Sequence, residues 1–221
     1  MSKQNRLTLD AYQKTAKQYM NNSSAHDALD LKKAKAKAMR LKIYLGKFFS
    51  PLPDCARIFE IGSADGATAK YLSSIGFDVT ASDVADDFIE AIKGQSLPVV
   101  KFNALTDEFP QKYHGILCWR VFVHFTPDDA LAVLKKVYEA LEPNGRFIFN
   151  AINRETRDVD EEWVDFPGEY HMGIERYFHY YTEPQLLDLI QQAGFEVLDF
   201  HLEGGEKHNK WLVFALEKPR G

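Results

Sequence analysis

Hydrophobic residues follow two regimes along this chain, and the change falls near residue 50. Before it, Leu31, Ala34, Ala38, Leu41, Leu45 and Phe48 recur at steps of three and four, the spacing of one helix face. Pro51 and Pro53 close that run, so residues 1–50 read as helical. After it, short β-prone runs alternate with helix-prone stretches. Strands are expected at 57–61, 77–82, 97–102, 114–119 and 146–152, and helices at 67–75, 86–92 and 128–141. The last helix is amphipathic, with Leu131, Leu134, Val137, Tyr138 and Leu141 inward, and Pro143-Asn144-Gly145 turns the chain into the next strand. Such alternation implies a parallel sheet covered on both faces, whose buried strands are apolar almost throughout.

Residues 153–182 break the rhythm. They are crowded with aromatic and charged side chains, among them Trp163, Phe166, Tyr170, His171, Arg176, Tyr177, Phe178, His179, Tyr180 and Tyr181. An irregular stretch this long inside a compact domain is functional or disordered, and its aromatic density argues for order. A helix is then expected at 183–193, closed by Gly194, followed by strands at 195–202 and 210–216. The loop between them contains Gly204-Gly205 and is short enough for an antiparallel pair. Residues 1–221 read as one domain, with 1–50 as a helical cap and 153–182 as an aromatic-rich cap insertion.

Composition narrows the function classes. The chain has 221 residues, 45% hydrophobic and 27% charged, which is ordinary for a globular protein that folds without disulfides or structural metal. Cys55 and Cys118 each sit beside apolar runs and read as small core residues in a reducing compartment. No signal-peptide pattern and no apolar run of membrane-spanning length is present, so the expected location is the cytoplasm, away from membranes. A net charge of −5 argues against broad binding to nucleic acid. Lys32, Lys33, Lys35, Lys37 and Lys42 nevertheless crowd one helix, as a solvated face or as a patch for an acidic partner.

Three strand ends carry groups suited to a nucleoside. The first strand stops at Glu60-Ile61-Gly62-Ser63-Ala64-Asp65-Gly66, where small residues let backbone approach a ligand and the following helix offers free N–H groups. The second strand leads to Asp83, about 20 residues beyond Gly62, whose carboxylate suits ribose hydroxyls or a helix cap. The third ends in Phe102-Asn103-Ala104, where an amide oxygen and a backbone N–H suit an adenine edge.

In order and spacing, Glu60-x-Gly62-x-x-x-Gly66, Asp83, Asn103-Ala104, Val121-Phe122-Val123-His124-Phe125 and Leu141-Glu142-Pro143-Asn144-Gly145 resemble the motifs of class I S-adenosylmethionine-dependent methyltransferases. The resemblance covers roughly residues 55–217 and is of the small-molecule type. It implies a Rossmann-like α/β fold: a seven-stranded, mostly parallel sheet with a C-terminal antiparallel pair and helices on both faces. It also implies that S-adenosylmethionine is bound and S-adenosylhomocysteine released. Glu60 would order the glycine turn, and Gly62, Ser63, Ala64 and Gly66 would pass under the methionine part of the cofactor. Asp83 would hold the ribose with Val84 against the adenine, while Asn103 and Ala104 would read the adenine edge. Trp119 and Arg120 would line the floor near the sulfonium. Two departures stand out: the family's middle glycine is Ala64, and Asn103 replaces the commoner aspartate.

Methyl transfer from a sulfonium asks for in-line approach and exclusion of water; a base is needed only for an acceptor protonated at neutral pH. Histidines are the natural candidates, namely His124 after the fourth strand and His171 and His179 in the insertion, with a purely structural role for His124 equally open. Tyr12 and Tyr19, seven apart, share a helix face and either pack on the core or, as part of a lid, cover the cofactor; Tyr19 is counted with the cofactor residues. Arg154 and Arg176 suit an acidic acceptor or surface ion pairs. No metal-binding spacing is present.

Other readings remain. A nicotinamide-dependent oxidoreductase would want G-x-G-x-x-G, but Gly62, Ala64 and Ala67 occupy those positions. A non-catalytic scaffold would keep the fold without the reaction. Among methyl acceptors, a small molecule with an O, N or C nucleophile is expected first, and a protein or RNA second.

Overall fold

A computed structural model describes residues 1–29, 31–165, 173–204 and 211–220, those from 22 to 37 by their backbone alone. Two helices, α1 (Lys3–Leu29) and α2 (Leu31–Phe49), open the chain. Then come β1 (Arg57–Ile61), α3 (Ala67–Ser74), β2 (Asp78–Asp83), α4 (Asp86–Lys93), β3 (Val99–Lys101), β4 (Tyr113–Cys118), α5 (Pro127–Ala140) and β5 (Leu141–Ile152). A two-stranded ribbon, β6 (Glu161–Val164) and β7 (Arg176–His179), precedes α6 (Glu183–Gln192), β8 (Glu196–Glu203) and β9 (Trp211–Glu217).

The main sheet has seven strands in the order β3-β2-β1-β4-β5-β9-β8. β1 through β5 pair in parallel, and β9 runs antiparallel between β5 and β8. Strand order reverses between β1 and β4, which opens a crevice at their carboxyl ends.

Side-chain alternation along these strands divides the interior into two cores. Phe59, Ile116, Cys118, Phe147, Phe149 and Phe214 face one side, against Val133, Leu134 and Val137 of α5 and Leu186 and Ile190 of α6. Ile58, Val79, Leu117, Ile148 and Ala215 face the other, against Leu45, Phe48 and Phe49 of α2, Leu72 of α3 and Ile92 of α4. The helix starts are locally specified. Thr126 accepts from the Asp129 amide with Pro127 at the first helical position, and Thr182 and Gln185 form a reciprocal capping box.

Several expectations shift by a few residues for identifiable reasons. β3 is shorter than 97–102 because Pro98 has no N–H; its carbonyl still takes the Ala81 amide at 2.9 Å. β5 begins at Leu141 because Leu141 already pairs with Tyr113, and the Pro143-Asn144-Gly145 turn survives as an irregularity in the strand, with Asn144 at φ 59°. Residues 153–182 are not irregular throughout: Glu161–Val164 and Arg176–His179 pair as an antiparallel ribbon. Tyr177, Tyr180 and Tyr181 are buried. Phe166, Tyr170 and His171 lie outside the described residues.

Two small corrections concern side chains. Cys55 is exposed, because the buried position at the start of β1 is taken by Ala56; Cys118 is buried, and both are free thiols. Ala38 is exposed, while Phe49 joins the buried face of α2. Of the lysine group, Lys42 lies over the Tyr71 ring at 4.7 Å, and the other four side chains fall outside the described residues. No helix among the described residues is long and apolar enough to cross a membrane.

Gly115 sets how closely α2 approaches the sheet. A Cβ there would meet Ile58 Cδ1 at 2.6 Å and Phe49 Cε1 at 3.0 Å. Gly115→Ala is expected to destabilise the protein by about 1–3 kcal/mol through overpacking. Urea denaturation measures this, and an unchanged midpoint would contradict the close packing of α2.

Candidate functional site

The turn after β1 is built from left-handed residues. Gly62, Ala64 and Gly66 have φ of 73°, 48° and 77°. Gly62 is required twice over, since its conformation favours glycine and a Cβ would lie 2.2 Å from Val121 Cγ2. Ala64 adopts the same region with a side chain, a strain of about 1–2 kcal/mol. Its amide is fixed by a 3.0 Å hydrogen bond to Asp83 Oδ2, and its methyl packs with Ala85 and Phe88. Ser63 stitches β1 to β2: its amide donates to the Ser82 carbonyl at 2.8 Å and its Oγ accepts from the Ser82 amide at 3.1 Å.

Two buried carboxyl groups flank this turn. Asp83 accepts from the amides of Ala64, Val84 and Ala85 at 3.0, 2.7 and 3.2 Å. Burial pushes its pKa up and the three N–H groups oppose that shift. They occupy three of the roughly four acceptor positions of a carboxylate. Glu60 is 3% exposed, and its Oε2 has no hydrogen-bond partner. Burial raises its pKa to about 7, with the Ser63 hydroxyl and the Ala69 amide opposing that shift and the neighbouring Asp65 and Asp83 adding to it.

A cavity of about 230 Å³ lies at the carboxyl ends of β1 to β4, under α1. Among the residues proposed from sequence, Tyr19, Glu60, Gly62, Ser63, Ala64, Asp83, Val84, Asn103, Ala104, Trp119, Arg120 and His124 all line it. Gly66 does not; it caps α3 and faces Ile92. Asn103 Oδ1 already accepts the Leu105 amide at 3.0 Å, leaving one lone pair for a ligand. Arg120 sits at φ 62°, its amide donating to Asn150 Oδ1 at 2.6 Å.

The histidines separate. His124 is 5% exposed, with both ring nitrogens engaged. Nδ1 faces the Tyr177 carbonyl at 2.7 Å, which only accepts, so Nδ1 carries the proton; Nε2 then accepts from the Tyr12 hydroxyl at 2.9 Å. Arg176 Nη1 donates to the same hydroxyl oxygen at 3.2 Å. Burial pushes His124 down to about 4 and Tyr12 up to about 12. Strand parity takes His179 elsewhere. Arg176 and Phe178 face Tyr12 and His124, whereas Tyr177 and His179 project from the other face of β7 toward Glu161. His179 does not line the cavity, and His171 lies outside the described residues. Arg154 pairs with Asp160. Among the described residues, no cluster suited to a metal ion occurs.

Tyr12, expected either on the core or in a lid, lines the cavity as well; the sequence reading missed Asn5, Thr8 and Leu9 of α1, which line it beside Tyr12. Thr8 Oγ1 accepts the Tyr177 amide at 2.9 Å, and Asn5 Oδ1 is buried without a partner. Asn5, Thr8, Tyr12, Thr15 and Tyr19 recur at steps of three and four, a polar and aromatic stripe that was the available signal.

This arrangement agrees with the comparisons to known proteins. A family described as "Methyltransferase domain" matches residues 32–199. The ubiquinone biosynthesis O-methyltransferase of Xanthomonas campestris pv. campestris (strain B100) is 24% identical over 107 residues, 45% of this chain and 44% of that protein. The chain thus spans less than half the length of that relative. An S-adenosylmethionine-dependent methyltransferase from Clostridium acetobutylicum ATCC 824 shares the fold at a TM-score of 0.68 and 15% identity, covering 91% of this chain and 100% of that one. Burkholderia thailandensis 1,6-didemethyltoxoflavin-N1-methyltransferase, solved with 1,6-didemethyltoxoflavin and S-adenosylhomocysteine, does so at 0.65 and 20%, covering 93% and 88%. The chain belongs to the methyltransferase-domain family, in its class I, S-adenosylmethionine-dependent form.

The residues present fit that cofactor. Glu60 Oε2 is a buried acceptor lacking a partner, suited to an ammonium group, and it lines the cavity beside Gly62, Ser63 and Ala64.

Glu60 predicts a pH signature. Its folded pKa, about 7, lies above the ordinary 4.5, so its contribution to stability is full below about 4.5 and is lost as pH rises through 7. Over that window the loss is on the order of 3 kcal/mol. Glu60→Gln should therefore match the wild type near pH 4.5 and exceed its stability at pH 8, measured by urea denaturation at both pH values. Parallel pH curves for the two proteins would contradict a buried, unpartnered carboxyl.

Proposed function

We propose that the protein transfers a methyl group from S-adenosylmethionine to a small-molecule nucleophile. One observation carries this reading: four strand ends and α1 converge on one cavity that offers, in order, a glycine turn, Asp83, Asn103-Ala104 and Trp119-Arg120. Glu60 and the turn from Gly62 to Asp65 hold the methionine portion, Asp83 and Val84 the ribose and adenine, and Asn103 and Ala104 the adenine edge. Tyr19 packs over them from α1, and Trp119 and Arg120 form the floor at the methyl end. The bound cofactor supplies a methyl group activated by positive charge. The work left to the chain is to orient the acceptor and exclude water.

Residues 1–221 act in this reading as one domain, with α1 as a lid, α2 packed into the core against the sheet, and residues 153–182 as a cap. Tyr12, Tyr19 and Phe88 pack edge to face across the lid contact, which supports that role. A small acceptor is supported by the aromatic content of the cap, by the net charge of −5, and by the 1,6-didemethyltoxoflavin bound to the Burkholderia neighbour. The two free thiols fit a reducing compartment, so we place the activity in the cytoplasm.

Calorimetric titration with S-adenosylmethionine tests the reading, with NADH as the control ligand. Saturable binding is expected for the first and none for the second. Asp83→Ala should weaken binding by about ten- to a hundredfold, the worth of hydrogen bonds to a charged group. A circular-dichroism spectrum checks that the variant folds. No binding by the wild type would move the non-catalytic scaffold to the front.

A further inference from the structure

Charge is segregated across the cavity. Its acidic lining residues, Glu60, Asp65 and Asp83, all lie at the ends of β1 and β2. Beyond the end of β4 Arg120 lines it, its guanidinium 5.4 Å from the Trp211 ring, and Arg176 stands behind Tyr12, its guanidinium 5.6 Å from that ring. The acidic side suits an ammonium group and ribose hydroxyls, and the side with the guanidinium groups suits an electron-rich or anionic molecule.

That second side also lacks a working base among its described residues. His124 spends its Nδ1 proton on the Tyr177 carbonyl and its Nε2 lone pair on the Tyr12 hydroxyl, so neither nitrogen is open to a substrate proton. The groups facing His124 are Tyr12 from α1 and Arg176, Phe178 and the Tyr177 carbonyl from β7. None is anionic, so an imidazolium there would stand unsupported beside a guanidinium; the downward pKa shift of His124 agrees. Tyr12 in turn is held by Arg176 and His124 as a fixed hydroxyl.

Resting on the methyl-transfer reading, we propose that the methyl acceptor is an acidic small molecule, a carboxylate or a similarly acidic enol or phenol, that reacts through an oxygen already deprotonated at neutral pH. The acceptor oxygen forms its bond to the methyl carbon as the carbon–sulfur bond breaks and that electron pair stays on sulfur. A negative and a positive charge disappear together, giving a neutral ester or ether and a neutral thioether, and no proton is released. Arg120 draws the anion in, and Tyr12, His124 and Arg176 are positioning residues that shape its side of the cavity.

The test uses the full chain. Binding of S-adenosylhomocysteine is first established by calorimetry. S-adenosylmethionine is then supplied with a panel of small carboxylic acids and acidic enols and phenols, next to matched alcohols and amines. Methylation of an acid is expected, with no proton released to a pH indicator and, at saturating S-adenosylmethionine so that Glu60 is already engaged, a kcat/KM for the acid that stays flat from about pH 6 to about pH 8. Arg120→Gln should raise KM for the acid about tenfold, and Arg120→Lys should recover it. Nitrogen-15 NMR, with His124→Gln for assignment, should show the His124 ring neutral and protonated at Nδ1 across the same range.

Turnover of alcohols or amines alone, a proton released per turnover, or a His124 that titrates near neutrality would overturn the proposal. So would no turnover of any acid by protein that binds S-adenosylhomocysteine. Failure to bind S-adenosylhomocysteine at all would overturn the methyl-transfer reading with it.

Discussion

The carboxylate of Asp83 ties two strand ends into one surface. One oxygen takes the Ala64 amide from the turn after β1, and the other takes the Val84 and Ala85 amides at the end of β2. A buried carboxylate is costly unless hydrogen-bonded, and three N–H groups meet that requirement here. In return the turn is held with Ala64 in a left-handed conformation that an alanine does not choose by itself. Everything that lines the cavity from β1 and β2 depends on this knot.

Around it the site is assembled by crossing elements rather than by one segment. The close contact of Gly62 with Val121 brings the end of β4 against the glycine turn, and the chain beyond β4 carries His124 to the Tyr12 of α1. β7 then locks α1 from the other side, through the Tyr177 amide on Thr8 and the Arg176 guanidinium on Tyr12. The two sides of the cavity thus share a wall, α1, whose polar stripe faces inward. The sequence distance between Tyr12 and Arg176, 164 positions, shows how far the chain travels to build that wall.

Acid–base chemistry in the cavity follows from burial more than from residue type. Glu60 is a carboxyl pushed up to about 7 and His124 an imidazole pushed down to about 4, so each is held toward its neutral form. Glu60 keeps one oxygen without a partner, a position suited to a cationic group, whereas His124 has both nitrogens engaged and is a strut. The same physical effect, loss of water around a charge, holds both toward neutrality, and it is their hydrogen-bond partners that distinguish them.

Alternation of short apolar runs with helical stretches was enough to read the parallel sheet, its two helical layers and the antiparallel closing pair, because strand and helix periodicities are local properties of the chain. The cavity-lining strand ends, from Glu60 to Arg120, were legible for a related reason: in a parallel sheet every strand end on one side faces the same crevice. What the sequence could not reveal were relations between distant segments. Whether His124 was a base or a strut depended on Tyr12 and Tyr177 arriving at its two nitrogens, and His179 was removed from the cavity by the parity of a ribbon that no local pattern announced. Asn5 and Thr8 belonged to the site only because α1 folds back across the sheet. Local periodicity determines elements, but hydrogen-bond partners and burial belong to the packed structure, so the roles of individual side chains were decided there.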